Sequence, residues 1–155
     1  MEKFVENLVE AEKHVSFAGH LIYVTLPVVN ENKIILKALS ELKQGILKAI
    51  NSLLQYEYVF KRINLSKDPR INFDIFRNKC APRYQITPEE VNQIKDLLSL
   101  ARSHEKSAIE FKRGGKIIIL SDDMRPTEIN VEMIKKFIEI SNSLLLKIKQ
   151  NMKGD

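Results

Sequence analysis

The stretch NKIILKALSELKQGILKAINSLLQYEYVFKRI, residues 32–63, decides the fold. Its apolar residues recur at alternating steps of three and four, which places them on one face of a helix. The stripe consists of Ile35, Leu39, Leu42, Ile46, Ala49, Leu53, Tyr56, Phe60 and Ile63. We therefore predict one amphipathic helix over residues 32–63, which is long for a globular protein.

A second long helix is predicted upstream, over residues 2–26, and Pro27 is expected to end it because the residue before a proline disfavours helical geometry. Its apolar stripe consists of Phe4, Leu8, Ala11, Val15, Ala18 and Ile22, widened by Phe17, Leu21 and Val24. The short polar link NENK, residues 30–33, favours an antiparallel helix pair. Small residues that allow the two helices to approach closely are Ala11, Ala18, Gly45 and Ala49.

The middle of the chain contains loops and two further helices. Residues 64–72 are predicted to form a loop, with a short helix over 73–79 and a second loop over 80–85. The next helix has a clear start, because Thr87 can cap it, Pro88 suits the first helical position and Glu90 completes a capping box. We expect this helix to continue to His104.

Residues 110–126, EFKRGGKIIILSDDMRP, differ from the helical pattern around them. Two short strands are predicted over residues 108–120, joined at Gly114 and Gly115, because glycine supplies the positive φ values of a tight hairpin turn. The apolar run IIIL, residues 117–120, is compatible with burial on both faces. Residues 121–130 are interpreted as a turn before a last helix that ends near Met152.

These patterns predict a mainly α protein: an antiparallel up-and-down helical bundle with two long N-terminal helices and a small β-hairpin, residues 108–120, before the C-terminal helix. One domain over residues 1–155 fits the size of the chain. Hydrophobic residues make up 44% of the sequence and charged residues 29%, which is typical of globular proteins. The most apolar stretch, residues 15–29, is too short to span a bilayer and contains Pro27.

Several motifs that would carry chemistry lack their required context. Gly114 and Gly115 precede a strand and not a helix, so they do not form a phosphate-binding loop. Asp122 and Asp123 could bind a metal or exchange protons, but no further ligand lies at a useful spacing, and turn residues are the favoured interpretation.

Histidine and cysteine give equally weak signals. His14 and His20 are six residues apart and face different directions on a helix, and we interpret His20 as a partly buried residue at the edge of the core. The single cysteine, Cys80, excludes an internal disulfide and favours a cytoplasmic protein with a buried structural thiol. No catalytic residue, metal ligand or cofactor is predicted, and the sequence favours a protein that is not an enzyme.

A basic segment is the strongest positive signal. Residues 57–84 hold seven Lys and Arg residues against three acids, in a chain of net charge +5. Aromatic residues alternate with these cations, which is the combination that binds RNA or single strands. The alternative is that the aromatic residues belong to the core and the cations solvate a loop. The candidate polyanion-binding residues are Lys61, Arg62, Arg70, Arg77, Lys79 and Arg83.

Four stretches carry a resemblance to known proteins: 11–14 (AEKH), 50–63 (INSLLQYEYVFKRI), 73–86 (FDIFRNKCAPRYQI) and 101–123. Together they resemble an uncharacterised family of small archaeal helical proteins. The paired long helices, the first of which contains AEKHVSFAGHLIYV at residues 11–24, are also similar to the HEPN helical domains, many of which process RNA and form dimers. The HEPN nuclease motif, Arg followed after four to six residues by His, does not occur here, so the resemblance implies no catalytic residue.

Two functions follow as expectations. The first is a noncatalytic binding or scaffolding protein that acts through protein–protein contacts, with a homodimer as its assembly and no membrane association. A dimer is favoured by an apolar strand that would expose an edge and by apolar residues outside the main stripe, namely Leu36, Leu47, Ile50 and Leu54. The alternative is an RNA-binding or HEPN-like RNA-processing protein that uses the basic segment, residues 61–83.

Overall fold

The computed structural model describes residues 2–106, 109–113, 116–120 and 125–152. It confirms a mainly α bundle with a small antiparallel hairpin before the C-terminal helix. The helices are α1 (Lys3–His20), α2 (Leu26–Val29), α3 (Asn32–Val59), α4 (Pro69–Ile75), α5 (Pro88–Glu105) and α6 (Val131–Met152), and the strands are β1 (Ile109–Arg113), β2 (Lys116–Leu120) and β3 (Pro126–Ile129).

Helices α1 and α3 pack against each other in antiparallel orientation. The start of α1 meets the end of α3, where the Ser52 hydroxyl donates to the Phe4 carbonyl at 2.6 Å. Further along, Gly45 allows close contact, because a Cβ atom there would lie 2.7 Å from Val15 Cγ2 and 3.3 Å from the Ala11 carbonyl oxygen. The predicted close approach at the small residues is therefore confirmed at Gly45.

The first helix does not end before Pro27, so that prediction is wrong. Residues Leu21–Thr25 form a π-helical turn, in which the Leu26 N–H bonds to the Leu21 carbonyl, five residues earlier. Pro27 then lies at the start of α2, where its missing N–H is tolerated. The chain leaves the helix only at Asn30, which has a left-handed backbone with φ 50°.

Helix α3 ends at Val59, four residues before the predicted end. Lys61 adopts a left-handed conformation with φ 60°, and the Arg62 N–H bonds to the Glu57 carbonyl at 2.9 Å, as in a Schellman motif. This early turn removes Phe60 from the buried stripe, and its side chain is 47% exposed. The interpretation of Phe60 as a core residue is therefore wrong, whereas Tyr56 is buried as predicted.

The short helix α4 begins earlier than predicted because the sequence provides a cap. The Asp68 carboxylate accepts the Arg70 backbone N–H at 2.9 Å, and Pro69 occupies the first turn. A π-helical turn, Phe76–Cys80, extends α4 toward the loop before α5. At the start of α5 the predicted capping box between Thr87 and Glu90 is confirmed in both directions.

A three-stranded antiparallel sheet lies between α5 and α6 in the chain, in the order β1-β2-β3. The predicted hairpin is confirmed as the β1–β2 pair, while Gly114, Gly115, Asp122 and Asp123 lie outside the described residues. The predicted turn over 121–130 is wrong at Pro126–Ile129, which pairs with β2. Strand β2 is therefore paired on both sides and exposes no free edge. The expectation that this strand would expose an edge, which was one reason to predict a dimer, is wrong.

Strand β2 is buried on one face only. Ile117 and Ile119 are almost fully buried, whereas Ile118 and Leu120 are half-buried. This alternation is the normal period of a strand with one face on a core, so burial on both faces is not observed. Ile117, Ile119 and Ile129 join the same hydrophobic core as the helices.

Helix α6 closes the bundle with one apolar face packed on the core. Ile134, Ile138 and Ile148 are buried and contribute to the core. Within the described ranges, no helix combines the length and the apolar character that crossing a bilayer requires.

Candidate functional site

The basic segment begins at a buried carboxylate. Glu57, near the end of α3, is only 1% exposed. Its oxygens accept from the Arg62 guanidinium at 2.7 Å, the Arg83 guanidinium at 3.1 Å and the Tyr84 hydroxyl at 3.3 Å. Burial, reinforced by the neighbouring Glu57 carboxylate, raises the pKa of the Tyr84 hydroxyl. This cluster ties the loop after α4 to the end of α3.

Arg62 is held by aromatic rings as well as by Glu57. Its guanidinium carbon lies 5.9 Å from the Tyr56 ring centre and 5.3 Å from that of Phe60, which is cation–π distance. Two of the six predicted polyanion-binding residues, Arg62 and Arg83, are thus engaged by a buried acid. Arg83 remains half-exposed and can still meet a ligand at the surface.

A first groove lies beside this cluster, where α3 ends. It has a volume of about 560 Å³ and is lined by Tyr58, Lys61, Arg62 and Lys79 among others. Tyr58 is 53% exposed, so its ring faces solvent and not the core. We call this cavity, with Tyr58, Lys61 and Lys79 as its defining residues, the α3-end groove.

The remaining predicted cations, Arg70 and Arg77, line a different cavity. This second groove, about 370 Å³, lies among α3, α4 and α5. Arg70 pairs with Asp68 at 3.3 Å and Arg77 with Asp74 at 2.9 Å. We call it the α4/α5 groove; its lining residues include Leu47, Arg70, Phe73, Asp74, Arg77, Lys95, Leu98 and Arg102. The structure therefore places five of the six predicted residues in these two grooves, whereas Arg83 lines a separate small pocket beside Glu57.

Sequence reasoning missed Lys95 and Arg102, because both lie on α5, outside the basic segment. A signal was present in their spacing: they are seven residues apart, with Leu98 between them, so all three share one helix face. Only the tertiary structure shows that this face of α5 lines the same groove as Arg70 and Arg77.

Cys80 and His20 lie in different environments. Cys80 is fully buried, and burial together with the nearby Glu57 carboxylate raises the pKa of its thiol to about 11, so the thiol is protonated at neutral pH. The interpretation of Cys80 as a buried structural thiol is confirmed. His20 is exposed on α1, so its interpretation as a core-edge residue is wrong. Within the described residues, no three His, Cys, Asp or Glu side chains are arranged to hold a metal ion.

His14 has a partner that the sequence did not reveal. Its ring Nδ1 contacts the Glu41 carboxylate across the α1–α3 interface, and Lys37 lies 3.1 Å from the same carboxylate. Partial burial raises the pKa of Glu41, but the hydrogen bonds from His14 and Lys37 outweigh it, and the net shift is downward. This contact stabilises the helix pair and faces no described cavity.

An apolar surface forms where α1 meets α6. A groove of about 550 Å³ there is lined by Ser16, Gly19, Tyr23 and Leu146 among others, and a Cβ at Gly19 would meet nothing within 4 Å. Tyr23 is 52% exposed and Leu146 is 56% exposed. A shallower depression of about 590 Å³ shares Ser16 with it and is lined by Val9 and Phe17. We call the two together the α1/α6 surface.

Comparison with known proteins adds no identification. No protein-family model matches the chain, and no curated protein matches it. The function of the chain is therefore inferred from the geometry of its three surfaces.

Proposed function

We propose that this protein is a noncatalytic binding or scaffolding module that acts through protein–protein contacts, and that its first partner is a second copy of the same chain. The observation that carries the proposal is the α1/α6 surface. Exposed apolar side chains that adjoin one another in this way are typical of interaction sites. Phe17, Tyr23 and Leu146 each leave close to half or more of their surface in water.

A second copy fits because one surface offers both exposed apolar side chains and open space beside them. In a two-fold symmetric dimer the same patch contacts itself, so it must be self-complementary. Phe17 is 44% exposed on α1, and a Cβ at Gly19 in the neighbouring groove would meet nothing within 4 Å. The Lys149–Glu12 ion pair, 2.7 Å long, lies between α1 and α6 and neutralises charge within the patch.

The test is the mass of the protein in solution. We expect light scattering to give twice the 17.9 kDa of one chain, and Phe17→Asp or Leu146→Asp to give a single-chain mass. Ile71→Asp is the matched control, because Ile71 is 48% exposed but lies on α4, away from the patch. A single-chain mass of the unaltered protein at every concentration contradicts the proposal, as does an equal effect of Ile71→Asp.

RNA binding is the second candidate, and a specific observation supports it. Tyr58 is 53% exposed beside Lys61, so its ring is free to stack on a base. Lys61 and Lys79 line the α3-end groove, and neither has an ion-pair partner in the described part of the chain. A HEPN-like protein without the nuclease motif would bind RNA and leave it intact.

The RNA candidate has its own test. A labelled single-stranded RNA should bind at low salt, and its affinity should fall steeply as salt rises, because counterions are released on binding. Lys61→Ala with Lys79→Ala should weaken it, whereas Lys33→Ala, an exposed lysine at the start of α3, should not. Absence of binding at low salt eliminates this candidate. For either function we propose a cytoplasmic location, since the chain has one cysteine and forms no internal disulfide.

A further inference from the structure

The α4/α5 groove combines an apolar floor with a cationic rim. Leu47 of α3, Phe73 of α4 and Leu98 of α5 contribute the apolar side chains. Leu47 is 37% exposed although it lies on α3, the long helix of the core. Part of its side chain therefore faces the groove and is not covered by other residues. Phe73 packs on Phe76 with ring centres 5.6 Å apart and is only half-exposed.

The rim is strongly positive on the α5 side. Lys95 and Arg102 are exposed, and neither has an ion-pair partner in the described ranges. They stand seven residues apart on α5, which corresponds to about 10 Å along the helix axis. Across the groove, Arg70 and Arg77 add two more cations, while Asp74 is the only acid in the lining.

Arg70 and Arg77 contribute differently from the α5 pair. Asp68 and Asp74 hold them in position and neutralise part of their charge. Arg70 nevertheless leaves 92% of its side chain exposed, so most of its donors still face water. Uncompensated positive charge is therefore concentrated at Lys95 and Arg102, on either side of Leu98.

We propose that the α4/α5 groove binds an acidic peptide segment of a partner protein, with an apolar side chain seated on Leu47, Phe73 and Leu98. Carboxylates of the same segment pair with Lys95 and Arg102. An amphipathic segment laid into a groove in this way buries apolar area and matches charge. This site is separate from the α1/α6 surface, so it does not depend on self-association.

The lining favours a peptide over a nucleic acid. Three of its four apolar residues, Leu47, Pro69 and Leu98, offer no aromatic ring on which a base could stack. The fourth, Phe73, already packs on Phe76. Exposed rings suited to bases occur instead at the α3-end groove, where Tyr58 lies.

The probe is a fluorescein-labelled synthetic peptide composed of glutamate and leucine in an amphipathic helical pattern. We expect saturable binding by fluorescence anisotropy. Lys95→Glu with Arg102→Glu should weaken it by about tenfold or more, because two attractive contacts become repulsive. Lys79→Glu, in the other groove, is the matched control and should change the affinity by less than about threefold, because salt screens charges that lie outside the groove.

A second comparison tests the apolar floor. Leu47→Ser should weaken the glutamate–leucine peptide by several-fold and should not change binding of a glutamate–serine peptide of equal charge. Leu47 is already partly exposed, so this variant is expected to remain folded. Equal losses for the two peptides would contradict a role for the floor and overturn the proposal.

Three other outcomes also overturn the proposal. One is no saturable binding up to about 1 mM peptide, the weak limit of specific affinity. Another is that single-stranded RNA displaces the peptide and also binds the Lys95→Glu, Arg102→Glu variant more weakly than the unaltered protein. That result would assign the groove to nucleic acid. The third is a changed solution mass for that variant, which assigns the groove to a second copy.

Discussion

At the scale of single residues, Glu57 organises the basic segment. Its carboxylate accepts from Arg62, Arg83 and Tyr84, and its backbone carbonyl accepts the Arg62 N–H that ends α3. A buried carboxylate is costly without such partners. Here the partners are guanidiniums that keep part of their surface in water, so the cluster joins the core to the surface.

Glu57→Gln should destabilise the fold by about 1–3 kcal/mol, because it removes the charge that two guanidiniums and a hydroxyl engage. Chemical denaturation followed by circular dichroism measures this loss. Glu89→Gln, at an exposed position in the first turn of α5, should change stability by less than about 0.5 kcal/mol. Equal effects of the two substitutions would show that the Glu57 cluster contributes little.

Glu90 provides a pH-dependent contribution to stability. Partial burial raises its pKa, but hydrogen bonds from Lys147, the Thr87 backbone and Ser143 outweigh burial and lower the pKa to about 2 from an ordinary 4.5. A folded-state pKa below the unfolded value means that the ionised form stabilises the fold. That stabilisation is fully present above the unfolded pKa and is lost as the pH falls through the folded one.

Glu90→Gln should therefore cost stability at neutral pH, and the cost should shrink as the pH falls from about 5 toward about 2. The measurement compares denaturation midpoints of the variant and the unaltered protein across that range. Glu89→Gln serves as the control, with no such convergence expected. A difference that stays constant down to pH of about 2 would contradict the proposed linkage.

At the scale of elements, α1 and α3 approach most closely at Gly45. Alanine is normally better than glycine inside a helix by about 1 kcal/mol. At this position, however, the added methyl would lie 2.7 Å from Val15 Cγ2, and a β-branched side chain has little freedom to move away. Steric conflict therefore outweighs helix propensity.

Gly45→Ala should lower the free energy of unfolding by about 1–3 kcal/mol, the usual cost of overpacking a core. A double-mutant cycle with Val15→Ala locates the cause, since the shortened side chain removes the conflict. In the Val15→Ala background the cost of Gly45→Ala should largely disappear. An unchanged cost in that background would mean that Val15 is not the obstacle.

At the scale of the whole molecule, the described surface carries an apolar patch and two cationic grooves on different parts of the bundle. The α1/α6 surface, the α3-end groove and the α4/α5 groove share no lining residue. This separation suits a module that assembles several components.

Self-association through the α1/α6 surface should make stability depend on protein concentration, because association favours the folded state by mass action. We expect the denaturation midpoint to rise with concentration in the unaltered protein and to be constant in Phe17→Asp. Ile71→Asp should retain the dependence. A midpoint that is independent of concentration over about a hundredfold range would contradict a dimer.

Elements with local signals could be predicted without tertiary information. The stripe of α3, the capping box at Thr87 and Glu90, and the hairpin strands follow from periodicity and turn chemistry, which act between neighbours in the chain. The predictions at Pro27 and Phe60 are wrong because the backbone forms a π-helical turn before Pro27 and adopts a left-handed conformation at Lys61.

Tertiary structure alone decided the composition of the candidate sites. Six cations lie in one segment of the sequence, yet packing pairs Arg83 with Glu57 and places Arg77 in a groove that Lys95 and Arg102 of α5 also line. The packing of the helices also leaves the α1/α6 surface exposed to solvent. The physical reason is that helix periodicity fixes which residues share a face, whereas contacts between distant helices fix which faces meet and which charges are compensated.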